Sequence, residues 1–341
     1  MPATTHYPTH RVLPPMRTDS PLLSVRDLVV KYRAGSERGD ILTAVSGVSF
    51  DIDAGSIFGL VGESGSGKTS LAHSIMQLLP PAAGEILFHG EDLTHLNAAS
   101  RQKTRRNIQL VFQDPLASLS PRRSILQSLI EPLDHFRIDA NRQRHARVCR
   151  VLETVGLERD VLQRFPHELS GGQRQRVALA RALVTEPELI IADEAVSSLD
   201  VSVQARIIEL VLELRQQLGI AFLFIAHDLA VIQQLADRVG IMYLGKMIET
   251  APADRLFQQA AHPYTRSLLE AVPVPDPAHG KPVALQGELP SALAPPAGCA
   301  FHTRCPRAGE QCRVLEPLDR QINETGTKRT AHNVRCHLWK E

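Results

Sequence analysis

The sequence lacks a surplus of charge of either sign. Its 341 residues carry 38 Lys plus Arg against 37 Asp plus Glu, a formal net charge of +1. Binding nucleic acid through the overall field needs a basic surplus, so the composition speaks against a nucleic-acid partner. Long hydrophobic runs are also missing. Stretches such as Ile220–Ala226 fall far short of the roughly 20 apolar residues that cross a bilayer, so any membrane role must come through a partner. The first twenty residues hold four prolines and no apolar signal-peptide core. Residues 1–20 therefore read as a disordered tail. No internal repeat is visible.

What is present is enough chain for a large core plus an appendage, with hydrophobic residues at 43%, in the globular range. Alternation in Leu23-Ser24-Val25-Arg26 and Val48-Ser49-Phe50-Asp51-Ile52 predicts an antiparallel β region before residue 60. Residues 115–168 show helical patterning, with Ile125, Leu126, Leu129 and Ile130 on one face. Short apolar strands are then expected at Leu189–Ala192, Ala221–Ala226 and Val239–Leu244, alternating with helices. That order implies an α/β fold with a parallel, doubly wound sheet. From about residue 250 the character changes: nine prolines between Pro252 and Pro296 predict an extended, irregular connection.

The most informative run is Gly62-Glu63-Ser64-Gly65-Ser66-Gly67-Lys68-Thr69, preceded by Ile57-Phe58-Gly59-Leu60-Val61 and followed by a segment able to start a helix. Strand, glycine-rich turn and helix form the context of a phosphate-binding P-loop. Glycines let backbone N–H groups wrap one anion, and the helix N-terminus adds positive potential. Lys68 can reach the β- and γ-phosphates, and the Thr69 hydroxyl can bind Mg²⁺. The apolar strand Leu189–Ala192 ends in Asp193-Glu194, at the carboxyl edge where ligands bind in such folds. Asp193 can orient Mg²⁺ or its water, and Glu194 can act as general base on an attacking water. Leu169-Ser170-Gly171-Gly172-Gln173 opens a helix and forms a second anion-binding element. One site does not need two such elements, so the second suits a nucleotide held by another copy of the fold; taken alone it reads first as a helix N-cap with glycines for a tight turn.

With these motifs in order the chain resembles the nucleotide-binding subunit of an ATP-binding cassette (ABC) transporter. Leu169–Gln173 is similar to that family's signature motif, Asp193-Glu194 to its Walker B end, and Gln113 in Val111-Phe112-Gln113-Asp114-Pro115 to its Q-loop. Ser197-Ser198-Leu199-Asp200 resembles the D-loop, His227 the switch histidine, and Tyr32 the aromatic that stacks on adenine. Ser198 departs from the Ala of many relatives, small for small. The resemblance covers roughly residues 22–250. It implies a parallel core sheet with an antiparallel β subdomain and a helical subdomain at about 115–168. It also implies a nucleotide domain over 21–255 and an extension over 256–341. The nucleotide site would comprise Tyr32, Gly62, Ser64 through Ser70, and, for a partner's nucleotide, Ser170 through Gln173. Asp200 would link the two sites, His227 would hold the γ-phosphate and water, and Thr69, Gln113 and Asp193 would serve Mg²⁺. Two chains then pair head to tail, and this copy hydrolyses ATP.

A finer resemblance is to oligopeptide and dipeptide importers, carried by Asp114-Pro115-Leu116-Ala117-Ser118-Leu119-Ser120-Pro121-Arg122, Phe165-Pro166-His167-Glu168, His262-Pro263-Tyr264-Thr265 and the run from Pro295 to Pro306. It implies a homologous or identical ATPase partner, two transmembrane permease subunits, an extracytoplasmic solute-binding protein and a place on the cytoplasmic face of the inner membrane. Two other classes compete. A soluble cassette protein of translation or DNA repair usually holds two cassettes or a long coiled coil, and neither is seen; a non-hydrolysing partner is opposed by Glu194 and His227.

Four of the five cysteines, Cys299, Cys305, Cys312 and Cys336, are spaced C-x5-C-x6-C-x23-C. Zinc, an iron–sulfur cluster, disulfides or no bound group are the options. The resemblance favours a 4Fe-4S cluster, with Zn²⁺ the alternative. His302, His332 and His337 are expected as solvated surface histidines, and Cys149 as a packed core thiol.

Overall fold

A computed structural model of the chain describes residues 20–34, 40–197, 199–272, 287–322 and 330–339. The expected tail lies outside the described residues apart from Ser20, as do Ser198 and most of the proline-rich connection. Leu23–Ala34 (β1) and Asp40–Ile52 (β2) pair antiparallel, with Tyr32 opposite Leu42. Ile57–Val61 (β3) runs into helix Lys68–Ile75 (α1). Ala83–Phe88 (β4) and Glu91–Asp92 (β5) then return to complete an antiparallel sheet of order β2-β1-β4-β5. The antiparallel region is thus real but is assembled from both sides of the P-loop, and β3 belongs elsewhere.

After helix Ala98–Asn107 (α2) comes strand Ile108–Val111 (β6). Pro115–Ser118 (α3), Ile125–His135 (α4) and Asn141–Thr154 (α5) form the helical insert. The Ser124 hydroxyl and the Gln127 side chain close a capping box that starts α4. Ile125, Leu129 and Leu133 are fully buried, with Leu126 and Ile130 packed beside them, as the helical spacing predicts. Gly171–Leu183 (α6) leads to Leu189–Asp193 (β7), Val201–Leu218 (α7) to Ala221–Ala226 (β8), and Leu229–Leu235 (α8) to Arg238–Tyr243 (β9). Lys246–Pro252 (β10) turns back along β9.

Strands β9, β3, β8, β7 and β6 lie parallel in that order, with β3 between β9 and β8. Both faces are covered, so their side chains divide by alternation. Ile57, Val61, Ile190, Ala192, Phe222 and Phe224 face the core shared with the helical insert, α7 and α8. Phe58, Leu60, Leu189, Ile191, Leu223 and Ile225 face the core shared with α1 and the antiparallel sheet. The chemistry at the carboxyl ends of these strands is thereby held between two packed layers.

Ala253–Gln259 (α9), Pro263–Glu270 (α10) and Glu310–Val314 (α11) follow, with short strands Arg320–Gln321 (β11) and Asn333–Val334 (β12). The sequence suggests a tail with its own hydrophobic unit. Instead β12 pairs with β10 and extends the large sheet, and Tyr264, Ala300 and Phe301 join the apolar cluster of the parallel sheet. Burying one such aromatic side chain contributes about 2 kcal/mol, so the extension has a stake in the main core.

Candidate functional site

The P-loop leaves the buried carboxyl end of β3 and enters α1 at Gly67. Gly67 has φ 101°, and a Cβ there would lie 2.1 Å from the Ala44 carbonyl oxygen, so no other residue fits this turn. A cavity of about 670 Å³ opens before the loop. Tyr32, Ser64, Gly65, Gly67, Lys68, Thr69, Ser70, Gln113, Glu194 and His227 all line it. Tyr32 comes from β1, where its hydroxyl donates to Ser70 Oγ at 3.1 Å. Gly62 and Ser66 lie in the wall behind, with Ser66 buried.

Lys68 Nζ donates to the carbonyl oxygens of Gly62 at 2.7 Å and Glu63 at 3.0 Å. Burial pushes its pKa down, against the pull of the Glu194, Asp193 and Glu63 carboxylates. The ammonium is thus preorganised and poorly hydrated, a state that anionic phosphate would relieve. Asp193 is its counterpart at the end of β7. Burial, and then the Glu194 charge, raise its pKa, while a Thr69 hydroxyl hydrogen bond and Lys68 oppose the rise. Its Oδ1 is buried without a hydrogen-bond partner. An orphaned carboxylate oxygen beside a threonine hydroxyl is the donor set a hard divalent cation takes, so these residues fit Mg²⁺.

Glu194 follows in the left-handed region, φ 49°, uncommon for a residue with a side chain. Its N–H donates to the Ile225 carbonyl at 2.9 Å, tying the turn to β8. That turn aims the carboxylate at the cavity, with His227 Nδ1 3.7 Å from Oε2. Gln113, from the segment after β6, donates to Ser197 Oγ at 3.4 Å. A carboxylate, an imidazole and an amide therefore converge opposite the loop.

The signature residues lie elsewhere. Ser170 caps α6 by accepting the Gln173 N–H at 3.3 Å, and the Gln173 side chain returns the bond to the Ser170 N–H at 3.0 Å. Asp200 caps α7 through Val203 N–H and Ser202 hydroxyl bonds, which hold its carboxyl below the usual range. Ser170, Gly171, Gly172, Gln173 and Asp200 do not line the cavity. Both caps are satisfied locally; their loops remain on the surface.

Sequence reasoning missed further cavity walls: Leu42, Thr43 and Ala44 of β2, Glu63, Leu244, Gly245, Leu268 and Ala292. Register with Tyr32 could have found Leu42. No local signal marks Leu268 or Ala292, which reach the cavity only through folding of the extension.

The cysteine expectation finds less support. All five cysteines are free, and Cys149 is the packed thiol expected. Burial raises the Cys299 thiol to about 11 and also raises Cys305 and Cys336, with smaller contributions from the charges of the other cysteines. Among the described residues, however, no group of three or more His, Cys, Asp or Glu is arranged to hold a metal ion. His332 corrects the surface expectation: it is buried, with Nε2 2.7 Å from Glu249 Oε1. His302 and His337 are half-buried: His302 Nδ1 lies 2.9 Å from the Cys299 carbonyl oxygen and His337 Nε2 2.7 Å from that of Leu315.

Among the described residues no helix is long and apolar enough to cross a membrane. The ABC transporter family matches residues 45–197, and the oligopeptide/dipeptide transporter C-terminal region matches 248–312. The chain is 45% identical over 328 residues to the oligopeptide transport ATP-binding protein AppF of Bacillus subtilis, covering 93% of this chain and 97% of that one. A Brucella ovis relative named for peptide import and ATP binding is 47% identical over 89% of this chain and 96% of its own. The dimeric structure of MJ0796, a bacterial ABC transporter cassette, superposes with TM-score 0.61 at 29% identity, over 68% of this chain and 98% of that one. A second MJ0796 structure, in a post-hydrolysis state with ADP and Pi, gives the same values. Fold, site and kinship agree: the chain belongs to the ABC transporter family, as an ATP-binding subunit with an oligopeptide/dipeptide-type C-terminal region.

Proposed function

We propose that this chain hydrolyses ATP to power import of peptides or similar small solutes, as one of a head-to-tail pair of ATP-binding subunits seated on two transmembrane permease subunits. The observation that carries this reading is the convergence of Lys68, Thr69, Gln113, Glu194 and His227 on one cavity. Lys68 meets the β- and γ-phosphates. Tyr32 offers its ring to the adenine. Thr69, Asp193 and Gln113 would hold Mg²⁺, which supplies charge neutralisation at the phosphates. Glu194 takes the proton of the attacking water, and His227 holds the γ-phosphate and that water. Water oxygen bonds to the γ-phosphorus, the bond to the β,γ-bridging oxygen breaks, and ADP leaves.

The Ser170–Gln173 turn, exposed at Ser170 and half-buried beyond it, complements the partner's P-loop, so the catalytic unit is a pair. Residues 21–255 serve as the ATP-binding domain, with the helical subdomain at about 115–168 meeting the permease, and 256–341 as the extension. The chain then sits at the cytoplasmic face of the inner membrane, and an extracytoplasmic binding protein delivers the solute. The import direction and peptide class rest on the relatives' names. A 4Fe-4S cluster, or zinc, on Cys299, Cys305, Cys312 and Cys336 is the finest part of the reading and rests on the resemblance and the spacing of those cysteines alone.

The test is affinity purification of the tagged full-length chain from detergent-solubilised membranes. Recovery of two permease subunits, with MgATP hydrolysis that stops when solute-binding protein and solute are withdrawn, is expected. Recovery of ribosomes or DNA-repair proteins in place of membrane subunits overturns it.

A further inference from the structure

Glu63, the residue after the first glycine of the P-loop, takes two partners from the extension. Its N–H donates to the Tyr264 hydroxyl at 3.1 Å. Its carboxylate accepts from both terminal nitrogens of Arg304, at 2.7 and 3.0 Å. This is a bidentate pair, and the Arg304 side chain is only 5% exposed. Arg304 also lies 5.9 Å above the Tyr243 ring, with Nη1 3.5 Å from its hydroxyl. Tyr243, Tyr264 and Phe301 pack edge to face and are wholly buried or nearly so. The clamp therefore stands on a rigid aromatic base at the end of β9, the neighbour of β3.

The same Glu63 offers its carbonyl oxygen to Lys68 Nζ. An unbroken chain of hydrogen bonds thus runs from Arg304 and Tyr264, through Glu63, to the ammonium that meets the phosphates. Leu268 and Ala292 of the extension line the cavity itself.

Building on the ATP reading above, we infer that the extension is a working part of the nucleotide site: Arg304 and Tyr264 are positioning residues that hold the P-loop through Glu63 and so set the affinity for MgATP. A loop held in its binding conformation loses less freedom when phosphate arrives. Coupling is reciprocal, so MgATP tightens the attachment of the extension.

The test uses the full-length chain and calorimetric titration with MgATP, alongside the melting temperature without nucleotide. Arg304→Gln and Glu63→Gln are each expected to weaken MgATP binding about tenfold, in the lower half of the usual coupling range. The double variant should lose no more than either single, because both cut one chain of contacts. Arg304→Lys should recover part of the loss, since an ammonium restores the charge without the fork. Single variants that melt lower yet bind MgATP within twofold of wild type would show a merely structural clamp and overturn the inference, as would additive losses. Should Arg304→Gln not fold, hydrogen exchange of the unmodified chain decides: MgATP is expected to slow exchange over 287–305, and unchanged exchange overturns the inference. If the unmodified chain itself binds no MgATP, the ATP reading has failed and the inference falls with it.

Discussion

One histidine makes the attachment of the extension sensitive to acid. His262 caps α10 from a site 1% exposed, and its Nδ1 accepts the Tyr264 N–H at 3.0 Å. That nitrogen is unprotonated in the fold. Burial pushes the pKa from 6.5 down to about 4, partly opposed by the Glu249 charge. The unfolded chain takes up this proton below pH 6.5, whereas the folded chain resists until about 4. The contribution to stability is therefore complete above 6.5 and is lost as pH falls from 6.5 to about 4. The interval is about 2.5 pH units, which at about 1.4 kcal/mol per unit comes to roughly 3.5 kcal/mol. The ionisable neighbours are Glu249 of β10 and His332. Burial would raise Glu249, yet the His332 hydrogen bond and the Ala261 and His262 amides hold it below 4.5, so its own contribution is lost at still lower pH. The perturbation is His262→Asn, whose side-chain oxygen can accept the same N–H and does not titrate. Urea unfolding followed from pH 7 to 4.5 should show wild type losing between 2 and 3 kcal/mol more than the variant, roughly the share of the drop in that range. Parallel stability curves would refute the argument.

Lys68→Ala should abolish detectable MgATP binding, because the phosphates lose their fixed cation; calorimetry checks it, and retained affinity contradicts the P-loop role. Gly172→Val should cost about 1–3 kcal/mol in urea unfolding, since a Cβ there would lie 2.6 Å from Val203 Cγ1 at the start of α7; an unchanged midpoint contradicts the packing described. Anaerobic purification should yield iron and sulfide that Cys305→Ser removes, if the thiols hold the cluster; zinc in the elemental analysis supports the alternative, and no metal leaves them as packing residues.

The P-loop, Asp193-Glu194 and the capped turn at Ser170 were legible because each is a local pattern whose geometry depends on a few adjacent residues. Parallel strands β3, β7, β8 and β9 were legible as short apolar runs, since burial on both faces removes polar alternation, whereas the four-residue β6, with Gln109 inside it, was not. Strands β4 and β5 were not: β4 pairs with β1, about sixty residues earlier, and the two-residue β5 pairs only with β4. The link from Arg304 to Glu63 spans 241 residues, and nothing at either end announces the other. His332 shows the same limit, for its burial is decided by Glu249, which only pairing of β12 with β10 brings near.

The central claim is that Glu194 drives hydrolysis of ATP held by Lys68. Its most direct test is phosphate release from radiolabelled ATP by the complex that co-purifies with the full-length chain, under single-turnover conditions, comparing wild type with Glu194→Gln. The account predicts that the variant binds MgATP as tightly as wild type, accumulates as a nucleotide-bridged pair, and releases phosphate on the order of 10²–10⁴-fold more slowly. Release at the wild-type rate from the variant's own site would contradict it.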